Sequence, residues 1–173
     1  MNIFVVDNDS RIAARQLCDK HVVKMIVEGC QMLSTIHRMN SSHVIHAPVE
    51  LYKKSFENHP CTIWARNSVD NYMWLAEHTH ELSLEYTRRY GRTHKAHGMT
   101  VWFLGHIPHG INRMSLTPFA QAMPDQYKDV DAVQAYRNYY IHEKARFAKW
   151  KHTEPPDWFV EGVSNVSMQV LSA

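Results

Sequence analysis

Three stretches of this chain hold a helical period, and the segments between them are broken by proline, glycine and asparagine. The first starts near Arg11 behind a capping Asp9 or Ser10 and runs to Arg38, with room for a break. The second opens at His59-Pro60, with proline in its first turn. It carries Tyr72, Leu75, Thr79, Leu82 and Tyr86 at spacings of three and four and ends near Tyr90-Gly91. The third is capped by Asp129 or Asp131 and extends to Trp150, with Val133, Tyr136, Tyr140, Phe147 and Trp150 on its buried face, and Pro155-Pro156 terminates it. These stretches predict a mainly α fold: a compact single-domain bundle of three long helices over residues 1–173, with long irregular connections and a short N-terminal extended segment over residues 2–6.

The connections are less regular. From Met39 to Asn58 the period is lost, and Asn40, Ser41, Ser42 and Pro48 mark a long loop of the kind that often carries function. Between Arg92 and Lys128, Gly105, Pro108, Gly110, Pro118 and Pro124 predict short helices and turns. Trp158-Phe159 reads as an aromatic anchor folding back on the bundle, and Glu161 to Ala173 as a mobile tail.

With 173 residues the chain can bury one core and not comfortably two, and 45% hydrophobic with 21% charged residues argues against wholesale disorder. The apolar start Met1 to Val6 stops at Asp7, far short of a signal-peptide core or membrane span, so a cytoplasmic monomer without a membrane partner is expected. Cys18, Cys30 and Cys61 form no Cys-x-x-Cys pair and read as reduced packing residues. A formal charge of +2 identifies no partner by itself, but Arg88, Arg89, Arg92, His94, Lys95 and His97 crowd into one short segment. That cluster fits a phosphate-backbone contact or, equally, a solvated helix end whose cations offset the macrodipole.

The chemistry concentrates on the first helix. His21, Lys24 and Glu28 share one face, which sets an imidazole, an amine and an acid on a rigid support. A plain solvated Lys24–Glu28 ion pair at i,i+4 is the competing account. His94/His97 and His106/His109 have chelating spacing, yet no cysteine or carboxylate cluster completes a metal site. In the third helix, aromatic and basic residues interleave. Tyr136, Tyr140, Phe147 and Trp150 fit the core, which leaves Arg137, Tyr139 and Lys144 as surface contacts.

Leu17-x-Asp19-x-His21, then Glu28, then Asn58-His59-Pro60 and a helix ending Arg88-Arg89-Tyr90-Gly91, resembles the pyrimidine-dimer DNA glycosylase family of the phage endonuclease V type. The basic helix end and Pro-x-Trp from Lys144 to Phe159 are similar to the close of those enzymes. The resemblance implies removal of a damaged pyrimidine and strand cleavage at the abasic sugar. In that family the N-terminal α-amine attacks C1′ to form an imine, and a glutamate in the first long helix moves the protons. Carried over, Glu28 is the acid/base, the Met1 amine the nucleophile, and His21 a neighbour of the DNA on the same face. Lys20, Lys24, Asn58, His59, Arg88, Arg89, Arg92, Lys95, Arg137 and Lys144 are the expected DNA contacts, to the phosphate backbone and around an exposed base.

That chemistry is sound in its own right and calls for no metal or other cofactor. An α-amine has a reference pKa of roughly 8, so part of it is neutral and nucleophilic near pH 7. A carboxylate beside it can accept a proton and return it as the sugar ring opens.

The chain departs from the family at three points. Asn2 is a poor context for removal of the initiator methionine, which would leave the free amine on Met1. Val27 and Gln31 stand where the family carries arginines around its glutamate, which leaves the lesion open. Lys20 and Lys24 are close enough in sequence to offer a substitute amine, if burial lowers the lysine pKa. Two other readings stand beside the enzyme: a nucleic-acid-binding module without catalysis, and a metal- or cosubstrate-dependent DNA-base-modifying enzyme.

Overall fold

A computed structural model describes residues 1–40 and 50–171, and among these the chain is helical with no strand. The elements are α1 (Ser10–Gln16), α2 (Asp19–Asn40), α3 (Pro60–Asn67), α4 (Val69–Tyr90), α5 (His97–Gly105), α6 (Ala132–Lys144) and α7 (Asp157–Leu171), with a 3₁₀ turn at Asp125–Tyr127. The mainly α expectation holds, but the three long helices resolve differently. Each of the first two is a short helix joined to a 22-residue one.

Local chemistry sets these boundaries. Asp9 caps α1 by accepting the backbone N–H groups of Arg11 and Ile12. His59 caps α3 through Nδ1, which accepts the Cys61 N–H at 3.2 Å, and Pro60 fills the first helical position where no N–H is needed. Ser68 ends α3 in an extended conformation, and its hydroxyl caps α4 on Asn71 N–H. Gly91 closes α4 at φ 66°, a left-handed cap that suits glycine.

The core lies where α2 meets α4. Ile26, Cys30, Leu33 and Ile36 from α2 join Tyr72, Leu75, Ala76 and Leu82 from α4, all buried. Gly29 makes this approach possible, because a Cβ built there would lie 2.2 Å from Thr79 Oγ1. The Thr79 hydroxyl is itself held by Leu75 O at 2.7 Å and has little freedom to yield. Gly29→Ala is therefore expected to lose about 1–3 kcal/mol through overpacking, although alanine is the better helix former. Chemical denaturation would measure it, and an unchanged or raised stability would contradict the close packing.

Several expectations are corrected. The third helix stops at Lys144, short of Trp150, which instead packs on Phe159 from the following turn with ring centroids 4.7 Å apart. The region from Glu161 on, where no period is legible, is helical to Leu171. A Cβ at Gly162 would fall 2.2 Å from Ile141, so α7 lies close against α6. Trp158 and Phe159 do serve as an anchor, since Trp158 Nε1 donates to Gln16 Oε1 at 2.8 Å and both rings meet Tyr140 edge-on. Residues 2–6 are a buried irregular segment kinked at Phe4, whose φ is 37°.

The long loop is tied down at its far end, where Ser34, Thr35 and Arg38 of α2 hydrogen-bond the backbone of residues 51–55. Ser41, Ser42 and Pro48 of that loop, and Ser172 and Ala173 of the tail, lie outside the described residues. The three cysteines are buried and free. Among the described residues no helix is long and apolar enough to cross a membrane.

Candidate active site

The N-terminal segment folds back onto the middle of α2, which brings the first nitrogen of the chain to Glu28. Met1 N lies 3.7 Å from Glu28 Oε2, and the Asn2 N–H donates to the same oxygen at 3.1 Å. Lys24 Nζ sits 3.1 Å from the other oxygen, Oε1. The surroundings differ sharply, because the Glu28 side chain is 12% exposed whereas that of Lys24 is 63% exposed. One oxygen of the acid faces the buried terminus and the other the solvated surface.

Asn2 fixes this arrangement. Its carbonyl oxygen accepts the N–H groups of Ile3 and Phe4 at 2.8 and 3.0 Å, and its amide donates to Ala122 O at 2.8 Å. The segment is thereby pinned to a loop distant in sequence. Its positive-φ residue, Phe4, stacks on His21 with ring centroids 4.4 Å apart and planes 20° apart. Sequence reasoning missed Asn2, and the signal available was a polar residue inside an otherwise apolar run.

His59 stands beside the same pair. Burial lowers its pKa, the field of the terminal ammonium lowers it further, and Glu28 opposes both. A neutral imidazole is the result near pH 7.

One and two turns toward the start of α2 the face continues. His21 is buried against Phe4, Tyr140 and Phe147, and its Nδ1 lies 2.8 Å from the Tyr140 hydroxyl. That hydroxyl also accepts the Cys18 N–H at 3.0 Å, and it keeps its own proton for Nδ1. Burial, and then the fields of Lys144, Lys24 and Lys20, lower His21 to about 3. The three lysines thus converge on one buried ring from two helices. Lys144 donates to the Tyr139 hydroxyl at 2.9 Å, and Lys20 lies over the Phe147 ring. Tyr140 belongs to the core as expected, but its hydroxyl also orients the histidine.

His78 is a second buried neutral imidazole. Its Nδ1 bonds Ser10 O at 2.9 Å, and burial lowers its pKa to about 4. Unfolded imidazoles take up protons near 6.5, so below that pH the unfolded state binds more protons than the folded one and stability falls as the pH drops. At pH 5 each of these two histidines is expected to remove about 2 kcal/mol relative to pH 7. Melting temperatures across this range would register the loss, and a flat profile would contradict the burial of the two neutral rings.

The remaining expected DNA contacts separate. Asn58 is exposed beside His59. Arg92 and Lys95 are exposed beyond the end of α4, and the structure joins neither to Glu28. Arg88 is half-exposed and paired with Glu81 and Glu85. Arg137 donates to Val6 O at 2.9 Å, lies 3.8 Å from Asp7 and covers Trp158, so it braces the N-terminal segment.

Arg89 needs correction, because its side chain is 1% exposed and cannot reach a phosphate. It donates to Glu85 at 2.7 Å, Asp19 at 3.0 Å, Leu17 O at 2.9 Å and Arg15 O at 2.8 Å. Asp19 also receives the Lys151 N–H, so this motif residue is a brace at the start of α2.

Three of the paired histidines are engaged separately. His94 accepts from Ala96 N–H, His97 meets Ser83, and His106 Nδ1 meets Trp102 O. Among the described residues no group of three or more His, Cys, Asp or Glu gathers as a metal site.

The fold thus holds the terminal amine on a half-buried carboxylate, beside a face of α2 and α6 that carries Lys20, Lys24 and Lys144. Residues 1–99 match the family model described as pyrimidine dimer DNA glycosylase, which spans more than half of the chain. The chain belongs to that family. No curated protein and no solved structure matches it.

Proposed function

We propose that this DNA glycosylase family member is also an abasic-site lyase working through an imine on its N-terminal amine. The observation that carries the reading is the 3.7 Å separation of Met1 N and Glu28 Oε2. The neutral amine attacks C1′ of the damaged nucleotide, the C1′–N bond breaks, and the base leaves with the bonding electrons. Glu28 takes the proton released by the amine and returns it to O4′ as the ring opens, giving the imine. Loss of a C2′ proton then expels the 3′ phosphate and cuts the strand.

Two amines reach Glu28, and chemistry separates them. α-Amines are less basic than lysine side chains by about 2 pKa units, which favours a terminal nucleophile at neutral pH. Lys24, with its exposed side chain, is assigned with Lys20 and Lys144 to the DNA phosphates, whereas His21, buried against Phe4, Tyr140 and Phe147, lies beneath that surface and braces the N-terminal segment rather than touching DNA. His59 and Asn58 flank the reacting sugar. Val27 and Gln31 are half-buried and neutral on either side of Glu28, so the positive charge around the acid comes from Lys24 and the chain terminus rather than from flanking arginines. The lesion therefore need not be the pyrimidine dimer of the family's name.

Borohydride reduction on abasic or lesion-bearing DNA tests the reading, since it converts an imine to a stable adduct. Lys24→Ala should still trap an adduct, while weakening DNA binding and reducing its salt dependence by roughly one phosphate contact. Loss of the adduct with binding intact would move the nucleophile to Lys24. Salt-dependent binding by the unaltered protein, with neither adduct nor cleavage on any of these DNAs, would favour a binding module instead.

A further inference from the structure

Besides Phe4, one other non-glycine residue among the described residues has positive φ: Phe56, at 52°. Bulky side chains rarely adopt this region, and such strain persists where the surroundings over-determine it, which is characteristically at functional sites. Phe4 is buried, and its conformation is explained by packing on His21. Phe56 has no such explanation, because it is 63% exposed and ranks among the most exposed large hydrophobic residues of the domain.

Its backbone is held from both sides. Ser55 exchanges two hydrogen bonds with Thr35 of α2, Arg66 of α3 donates to Glu57 O at 2.7 Å, and the His59 N–H closes the turn onto Phe56 O at 3.0 Å. A closed turn of this kind keeps its end Cα atoms within about 7 Å, so Phe56 sits next to the histidine that feels both the Met1 amine and Glu28. Lys53 and Lys54 precede it and are exposed, and Asn58 and Pro60 are exposed after it. A rigid turn thus offers a solvated aromatic ring, beside the exposed Lys53 and the Lys54–Glu57 ion pair, at the edge of the proposed site.

We propose that Phe56 is a wedge that enters the base stack of duplex DNA and unstacks the step beside the target nucleotide, letting C1′ reach the amine. This rests on the lyase reading above. Apolar side chains can intercalate and kink a duplex, and an enzyme acting on a base must first take it out of the stack. Lys53 would neutralise a phosphate beside the opened step, Lys54 being paired with Glu57.

The test uses a duplex with 2-aminopurine beside an abasic site, together with a single-stranded abasic oligonucleotide that needs no opening. Binding of Glu28→Gln protein to the duplex should raise the 2-aminopurine fluorescence several-fold, and Phe56→Gly added to it should abolish the rise. Alone, Phe56→Gly should melt at a higher temperature, because glycine relieves the positive φ. It should also lose tenfold or more of its duplex cleavage and far less of its single-strand cleavage. Phe56→Trp should restore the fluorescence signal and duplex cleavage. Duplex cleavage by Phe56→Gly at the unaltered rate would overturn the proposal, as would an equal loss on both DNAs. A change in sedimentation with duplex cleavage retained would also overturn it and make Phe56 a contact between copies of this chain. Failure of the lyase reading looks different: the unaltered protein would then trap no adduct on either DNA.

Discussion

Glu28→Gln is expected to lower strand cleavage by about 10²–10⁴-fold while leaving DNA affinity equal or slightly higher. The amide keeps the shape of the side chain but cannot take a proton from the amine or return one to the sugar. Its oxygen can still accept the Asn2 N–H, which now bonds Glu28 Oε2 at 3.1 Å, so the N-terminal segment keeps that tie. Removing a negative charge from a surface that meets phosphates favours binding. Cleavage within tenfold of the unaltered protein would exclude Glu28 as the acid/base. A matched loss of affinity and cleavage would instead make the residue a structural support.

Arg89→Met carries the second large effect, on stability. The guanidinium has five N–H donors and uses them on Glu85, Asp19 and the carbonyls of Arg15 and Leu17. Those two carbonyls belong to the end of α1 and the break before α2, where no intrahelical donor is available. Methionine fills similar space but leaves Glu85, with a side chain 6% exposed, with only the half-exposed Arg88 as counter-charge, and leaves the two carbonyls without their donors. Breaking a buried pair from one side is expected to lose about 3–5 kcal/mol. For a domain of this size that amounts to roughly 10 °C in melting temperature. Arg89→Lys should fall between, since a single ammonium cannot reproduce the fork. A variant that melts like the unaltered protein and binds DNA poorly would return Arg89 to the role its sequence neighbourhood suggests.

Arg89 also illustrates where sequence reading runs out. In Arg88-Arg89-Tyr90-Gly91-Arg92 nothing local distinguishes the exposed arginines from the buried one. Its burial depends on a helix break seventy residues earlier that leaves carbonyls bare. The His21–Glu28 face was legible because helical spacing alone determines which residues share it. The place of Met1 was not, because the path of the first residues depends on Asn2 meeting Ala122 across the whole chain. The resemblance supplied the expectation that an amine and an acid meet, and only the fold could bring them to 3.7 Å.

The helices followed the same division. Asp9 and Asp131 were each legible as one of two cap candidates, and the start at His59-Pro60 was legible from its proline, since such signals act on the next few residues; that His59 itself caps α3 was not. Residues beyond Glu161 escaped because α7 is largely exposed and carries apolar residues such as Val160 and Met168 on its open side, which blurs the period. Trp150 had the right spacing for α6, but its ring is held by contacts outside any helix, including its indole N–H donating to Gln16 O at 3.2 Å.

The most direct measurement of the central claim is to locate the borohydride-trapped adduct within the protein by peptide mass spectrometry. Deoxyribose attached to the Met1 nitrogen, with the adduct strongly reduced in Glu28→Gln, is the predicted result. Attachment to Lys24 or another side chain, or no adduct on any DNA that the protein cleaves, would contradict it.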